Sequence, residues 1–304
     1  MTFSRRHLLV AGAALTAAAA CGRKQSFTPP TLSDPAEPLP PIEDRIGLLE
    51  KRDNALAGLY GVNLASNVTV AHRQNDMFAL CSTFKAYLAA RILQKAQRGE
   101  LVMTDILYVD PAAVKPNSPI SGPKAGHSLS LNELCQAVLQ RSDNTAANML
   151  LSVIGGPPGI TEFARSIGDE RTRLDRWETE LNSALPGDPR DTTTPRAYGD
   201  GIRAILTEDI LDEAHRTQLE DWMRGNVTSR MRAGLPPGWT SADKTGTGEF
   251  ASTNDIGIVY GPNGERILLA IMTRTRSDNP NADALGQLIA DLTTLALPTL
   301  RGLG

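Results

Sequence analysis

The sequence predicts an α/β fold in two parts. An antiparallel sheet is assembled from both chain ends and flanked by terminal helices, and an all-helical region is inserted between them. Three observations carry this. Two short runs, "LYGVNLA" and "NVTVAHR", read as paired strands early in the chain. From Cys81 to about Leu219 the apolar residues recur at helical spacing. After Trp239 the period shortens to that of strands. The boundaries follow as 42–78 with 230–304 for the sheet part and 79–229 for the helical part. A cleft between the two is the default place for a site.

The first residues stand apart from the fold. "SRRHLLVAGAALTAAAACG" pairs Arg5 with Arg6, follows them with an apolar run from Leu8 to Ala20, and ends at Cys21. The run is too short to span a membrane as a mature helix and reads as an export signal over 1–21. "SRRHLL" resembles a twin-arginine signal, and the small residues before Cys21 resemble a lipoprotein processing site. Ala18 stands where such sites usually carry a bulky aliphatic residue. Lipidation would make Cys21 the first mature residue and the chain's sole membrane attachment. An exported protein is expected, periplasmic, anchored at the outer face of the cytoplasmic membrane, or secreted. Residues 22–41 are Pro-rich and polar, cannot bury apolar surface, and read as a tether.

The folded chain, within 304 residues that are 41% hydrophobic, is long enough for a large core. Its net charge of -3, with scattered Lys and Arg, excludes a nucleic-acid partner; a monomer is expected. "IGLLEKRDNALAG" reads as a helix stopped by Gly58. "LSLNELCQAVLQRSDNTAANMLLSVIG" reads as one helical segment capped by Ser130, with Glu133 completing a capping box. "TPRAYGDGIRAILT" starts a helix at Thr194 with Pro195 in its first turn. Three strands follow Trp239, the last two joined at "GPNGE", and "ADALGQLIADLTTLAL" closes the chain as a helix.

His7, His72, His127 and His215 form no H-x-H or H-x-x-x-H pair, so no metal site and no cofactor is expected. Cys81 and Cys135 read as buried thiols, although a disulfide between them is open. The motif S-x-x-K occurs at Ser82–Lys85, Ser121–Lys124 and Ser241–Lys244, against roughly one chance match. Pro123 argues against a helical turn at Ser121, and Ser241 lies in a strand, where residues three apart face opposite ways. Ser82 sits on a helical turn, where Lys85 is a neighbour. There the helix dipole favours an alkoxide and a neutral amine, so the lysine can serve as a base.

Ser142-Asp143-Asn144 and Lys244-Thr245-Gly246 complete a set. Each tripeptide is expected by chance only about a few hundredths of a time per chain, and this order belongs to class A β-lactamases and penicillin-binding proteins. The chain resembles the class A serine β-lactamase family from about Arg45 to Leu297. "RWETELNSALPGDPRDTTTP", residues 176–195, resembles the family's Ω-loop and carries Glu178 and Asn182 in an E-x-x-L-N pattern. Penicillin-binding transpeptidases lack that glutamate. Arg176 and Asp191 match the ion pair that closes the loop. Thr179 replaces a common proline, and the sequence allows a cis or a trans bond before it.

The resemblance implies hydrolysis of penicillins and cephalosporins, and hence antibiotic resistance. Ser82 is the implied nucleophile, Lys85 or Glu178 through a water the acylation base, and Ser142 the proton relay. Glu178 with Asn182 would activate the hydrolytic water. Backbone N–H groups of Ser82 and Thr247 would form the oxyanion hole. Asn144 would bind the substrate's side-chain amide, and the Lys244, Thr245, Gly246 and Thr247 strand would face its carboxylate. The arginine many relatives place on the next strand is replaced here by Asn254; Arg230, then Arg232, are the substitutes. Cys81 reads as a small filler beside the nucleophile, and Gly248 excludes the bridge to it seen in some carbapenem-hydrolysing relatives. Trp177, Trp222 and Trp239 read as packing residues, and Asn117 as a residue of the cleft mouth or of a plain loop. A D-alanyl-D-alanine carboxypeptidase or transpeptidase and a non-catalytic β-lactam-binding lipoprotein are the rival readings.

Overall fold

A computed structural model describes residues 40–303. The export segment with Arg5, Arg6 and Cys21, and the tether up to residue 39, lie outside the described residues. The elements run α1 (Ile42–Arg52), β1 (Ala55–Asn63), β2 (Thr69–His72), β3 (Phe78–Ala79), α2 (Lys85–Gln97), β4 (Ile106–Tyr108), β5 (Ser128–Ser130), α3 (Leu131–Gln140) and α4 (Asn144–Val153). They continue with α5 (Pro158–Ser166), β6 (Thr192–Thr193), α6 (Pro195–Thr207), α7 (Glu213–Arg224), β7 (Thr240–Thr247), β8 (Thr253–Tyr260), β9 (Arg266–Thr275) and α8 (Gly286–Leu300).

Five strands form one antiparallel sheet in the order β2-β1-β9-β8-β7. Alternation along the strands decides which side each residue serves. Ala55, Ala57 and Leu59 of β1, with Ile267, Leu269 and Ile271 of β9, pack against Ile46 of α1 and Leu288, Leu292 and Ala296 of α8. Their neighbours Tyr60, Val62, Leu268, Ala270 and Met272 face the other way, into a larger core shared with α2, α3, α4, α5 and α6. The two-part α/β architecture is therefore present, with its sheet drawn from both chain ends. Two short ladders, β3 with β6 and β4 with β5, interrupt the helical part.

Several local expectations are corrected. The first helix ends at Arg52, not at Gly58, because Asn54 turns the chain at φ 47° and β1 begins at Ala55. Gly58 lies inside β1, where a Cβ would come within 2.6 Å of Phe78 and Pro195. The segment around Ser142 is two helices. Ser130 and Glu133 do form the capping box of α3, but the chain breaks at Ser142, φ 56°, and Asp143 caps a new helix, α4. Ser121 does head a short 3-10 turn, Gly122–Lys124, which admits Pro123 in its first turn; its hydroxyl nevertheless donates to Asp143 at 2.5 Å. The closing helix starts at Gly286, four residues after Ala282.

Candidate active site

Ser82 lies in a 3-10 turn, Cys81–Phe84, that runs directly into α2. Several bonds fix this turn. Leu80 N–H donates to Asp191 O at 2.8 Å, Thr83 Oγ1 to Leu80 O at 2.7 Å, and Tyr198 Oη to Thr83 O at 2.5 Å. Strand β7 presses against it at Gly246, where a Cβ would sit 2.8 Å from Leu80 O. No larger residue fits there without moving the nucleophile's turn. The first N–H groups of such a turn have no partner within it, and Ser82 supplies one of them.

The turn places Ser82 and Lys85 side by side, with Lys85 fully buried. Lys85 Nζ lies 2.9 Å from Ser82 Oγ, 2.9 Å from Glu178 Oε1, 2.6 Å from Asn144 Oδ1 and 2.9 Å from Ser142 O. Burial lowers its pKa, and the Glu178 carboxylate opposes that. Ser82 Oγ also donates to Glu178 Oε1 at 3.0 Å. The hydroxyl therefore touches two bases at once, an amine and a carboxylate.

Glu178 reaches this point on the loop 176–195, whose ends are joined by Arg176 Nε to Asp191 Oδ2 at 2.5 Å. Asp191, itself buried, also accepts the N–H groups of Asp175 and Arg176 at 2.7 and 2.9 Å. The Glu178–Thr179 peptide is cis. Asn148 of α4 clamps the glutamate's main chain: its Oδ1 accepts from Glu178 N at 3.0 Å, and its Nδ2 donates to Glu178 O at 2.8 Å. Asn182 Nδ2 donates to Glu178 Oε2 at 2.6 Å, and Asn182 Oδ1 is buried without a donor among the described residues.

The far wall of the cleft is β7. Lys244 Nζ donates to Ser142 Oγ at 3.1 Å and to Thr245 O at 2.7 Å. Burial and the neighbouring Lys85 charge pull its pKa down to about 7. Thr245 Oγ1 meets Thr228 Oγ1 at 2.5 Å. Thr247 is exposed, and Arg230 Nη2 donates to its Oγ1 at 3.1 Å. Arg230 is held by its main-chain N–H on Asp255 Oδ2 at 2.7 Å.

The structure thus brings together Ser82, Lys85, Ser142, Asn144, Glu178, Asn182 and Lys244, with Thr245, Gly246, Thr247 and Arg230 along the edge. Asn144 spends its amide on Lys85 and on Pro116 O, the latter at 2.9 Å. Arg232 is engaged elsewhere, with Ser241 Oγ at 2.8 Å, Asn226 O at 2.5 Å and Asp243 at 3.3 Å. Asn254 turns away from the cleft and donates to Ala79 O and Leu80 O at 2.8 and 3.1 Å. Asn117 stands at the mouth, with Nδ2 on Ser142 O at 3.2 Å. Cys81 and Cys135 are buried free thiols. Trp222 and Trp239 pack as expected, but Trp177 is 38% exposed and lies over Gly156. Asn148, Thr228 and Tyr198 were missed; Asn148, one helical turn after Asn144, carried the one visible signal, a shared face.

Comparison with known proteins places this geometry. The model of the beta-lactamase enzyme family matches residues 41–297. The chain is 40% identical over 255 residues to β-lactamase FAR-1 of Nocardia farcinica, covering 83% of this chain and 81% of that one. It is 41% identical over 264 residues to the carbapenem-hydrolyzing β-lactamase KPC of Klebsiella oxytoca, covering 85% and 89%. A solved β-lactamase from Desulfarculus baarsii superposes with a TM-score of 0.82 at 39% identity, covering 86% of this chain and 97% of that one. A variant of a reconstructed Gram-negative class A ancestor, bound to a transition-state analogue, superposes with the same score at 41% identity, covering 86% and 99%.

Proposed function

The chain belongs to the beta-lactamase enzyme family, in its class A serine branch, and on that premise we infer that the cleft hydrolyses the β-lactam amide through an ester on Ser82. Penicillins and cephalosporins are the substrate class, and antibiotic resistance is the consequence. One observation carries the reading: Glu178 Oε1 stands 3.0 Å from Ser82 Oγ while Lys85 Nζ stands 2.9 Å from the same oxygen.

Ser82 Oγ attacks the lactam carbonyl and gives its proton to Lys85 or Glu178, both within direct reach. The carbonyl oxygen becomes an oxyanion held by the N–H groups of Ser82 and Thr247. The ring C–N bond breaks, and Ser142, itself bonded to Lys244, passes a proton to the leaving nitrogen. Glu178 then deprotonates a water that attacks the ester; the acyl C–O bond to Ser82 breaks, the carboxylate product leaves, and Ser82 Oγ regains a proton from Glu178 or Lys85. Asn182 Oδ1, buried and without a donor among the described residues, is the acceptor we assign to that water. Lys244, Thr245, Thr247 and Arg230 meet the substrate carboxylate, a role supported by Arg230 sharing Thr247 Oγ1. Arg230→Ala should raise KM for penicillins about tenfold or more, as loss of a charged hydrogen bond would.

We also propose export through the Arg5–Arg6 signal and lipidation at Cys21, with the enzyme working as a monomer outside the cytoplasmic membrane. The support is the order of an arginine pair, a short apolar run and a cysteine. Fatty-acid labelling of cells, lost in Cys21→Ala, tests it. Turnover of a chromogenic cephalosporin, abolished by Ser82→Ala, tests the chemistry. A penicillin adduct that persists for hours on the unaltered enzyme would instead favour a transpeptidase.

A further inference from the structure

The geometry points to a second binding site: a cavity behind the Ω-loop, with Arg274 as receptor for a small carboxylate that carries an apolar body. The cavity has a volume of about 390 Å³ and lies between Leu185, Pro186 and Arg190 of the loop, Phe78 of β3 and Arg274 of β9. None of the catalytic groups lines it. That size is within the usual range for small-molecule pockets.

Arg274 is the cation of this wall that has no carboxylate partner among the described residues. Its guanidinium has five N–H donors, and among the described residues its side chain makes one hydrogen bond, Nη1 to Thr275 O at 3.2 Å, and no ion pair. The cations around it are already engaged. Arg73 and Arg276 both bind Glu50, at 2.7 and 3.0 Å, and Arg190 binds Asp188 at 2.7 Å. Burial, Arg276 and Arg73 all disfavour the Arg274 charge. An anion in the cavity would relieve this, and a planar carboxylate matches the guanidinium fork.

The apolar half of the ligand follows from the other wall. Met77 and Leu185 are 41% and 46% exposed, and both line the cavity. A hydrocarbon body seated beside Arg274 would cover them. The wall residues Asp188 and Arg190 neutralise each other, so the pocket's uncompensated charge is that of Arg274. A free monoanion suits this balance.

The position ties the site to the reaction. One wall is the Ω-loop segment that follows Asn182; the other is β3, which leads through Leu80 into the turn of Ser82. An occupant therefore touches both segments that carry the deacylation machinery. Its influence on deacylation rests on the hydrolase reading, whereas its binding does not.

Calorimetric titration of the full chain with hexanoate, and with hexanamide as the uncharged analogue, tests the site. The active-site cleft can also take a carboxylate, so Arg274→Gln and Arg230→Ala are titrated in parallel. The expected result is saturable hexanoate binding at least about tenfold tighter than hexanamide, weakened about tenfold or more in Arg274→Gln and retained in Arg230→Ala. Absent binding, equal binding of the amide, or binding lost in Arg230→Ala and kept in Arg274→Gln would overturn the proposal. Chromogenic turnover measured on the same samples judges the hydrolase reading separately.

Discussion

Lys85 Nζ has at most three protons and faces more oxygens than that. Four oxygens lie within 2.9 Å and a fifth, Ser142 Oγ, at 3.4 Å. Burial makes its neutral form accessible, while Glu178 keeps the charged form in play. That balance lets one proton move among Ser82, Lys85 and Glu178 without a large rearrangement. Lys244 shows the same physics with a measurable pKa. Its value falls from 10.5 to about 7 in the fold. Below pH 7 it is charged folded and unfolded, and the burial penalty is fully present. Between 7 and 10.5 the unfolded chain binds more protons, so this group alone makes the free protein more stable as pH rises. Recognition of an anionic substrate goes the opposite way, because the charge is lost. A basic limb in kcat/KM near pH 7 is therefore expected, since that ratio reports the free enzyme. Lys244→Arg should move the limb up by more than about one unit, as arginine stays protonated; a limb that stays put would assign it to another group. Asn148→Ala removes both clamps on the Glu178 main chain, at roughly 1–3 kcal/mol for such bonds. Deacylation should slow more than acylation, seen as ester accumulating in quenched samples by mass spectrometry. The residues legible in the sequence are those in short motifs, such as Ser82 and Lys85, where chemistry is local. Thr228 was not, and Asn148 showed only the face it shares with Asn144, because their partners Thr245 and Glu178 are distant in the chain and only folding joins them.

At the scale of elements, the Ω-loop is held chiefly at its neck. Arg176 and Asp191 are both largely buried, and a buried pair broken on one side leaves an uncompensated charge. Arg176→Ala is expected to destabilise by about 3–5 kcal/mol, lowering Tm on the order of 10 °C for a chain this long. It should also reduce kcat, and calorimetry beside steady-state kinetics checks both. The pressing of β7 onto the nucleophile's turn gives a second test. Gly246→Ala puts a methyl 2.8 Å from Leu80 O, so the acylation rate should fall even where the fold survives. Stopped-flow acylation with circular dichroism of the variant separates the two effects. The long helices and the strands after Trp239 were legible from period alone. The break between α3 and α4 was not, because apolar spacing continues across Arg141–Asp143 and only the left-handed Ser142 interrupts it. That break is what turns Ser142 and Asn144 toward Lys85.

At the largest scale, the described residues form a sheet with a core on each face. One core, under α1 and α8, contains no catalytic residue. Leu269 is fully buried there, and Leu269→Ala should cost about 2–5 kcal/mol while leaving kcat/KM at 25 °C unchanged. Chemical denaturation with kinetics on the same preparation checks this. The other core carries α2 and α4, and through them Ser82, Lys85 and Asn148, against which the Ω-loop docks. Fold and cleft were legible at this scale because both chain ends carried strand signals and the middle did not. The central claim is that Glu178 drives release of an ester formed on Ser82. The most direct measurement is the lifetime of the penicilloyl adduct in Glu178→Gln, followed by intact-mass spectrometry after mixing with benzylpenicillin. The account expects the adduct to form and to persist at least about a hundredfold longer than in the unaltered enzyme, the scale of one lost general base. An adduct that clears as fast as in the unaltered enzyme would contradict it.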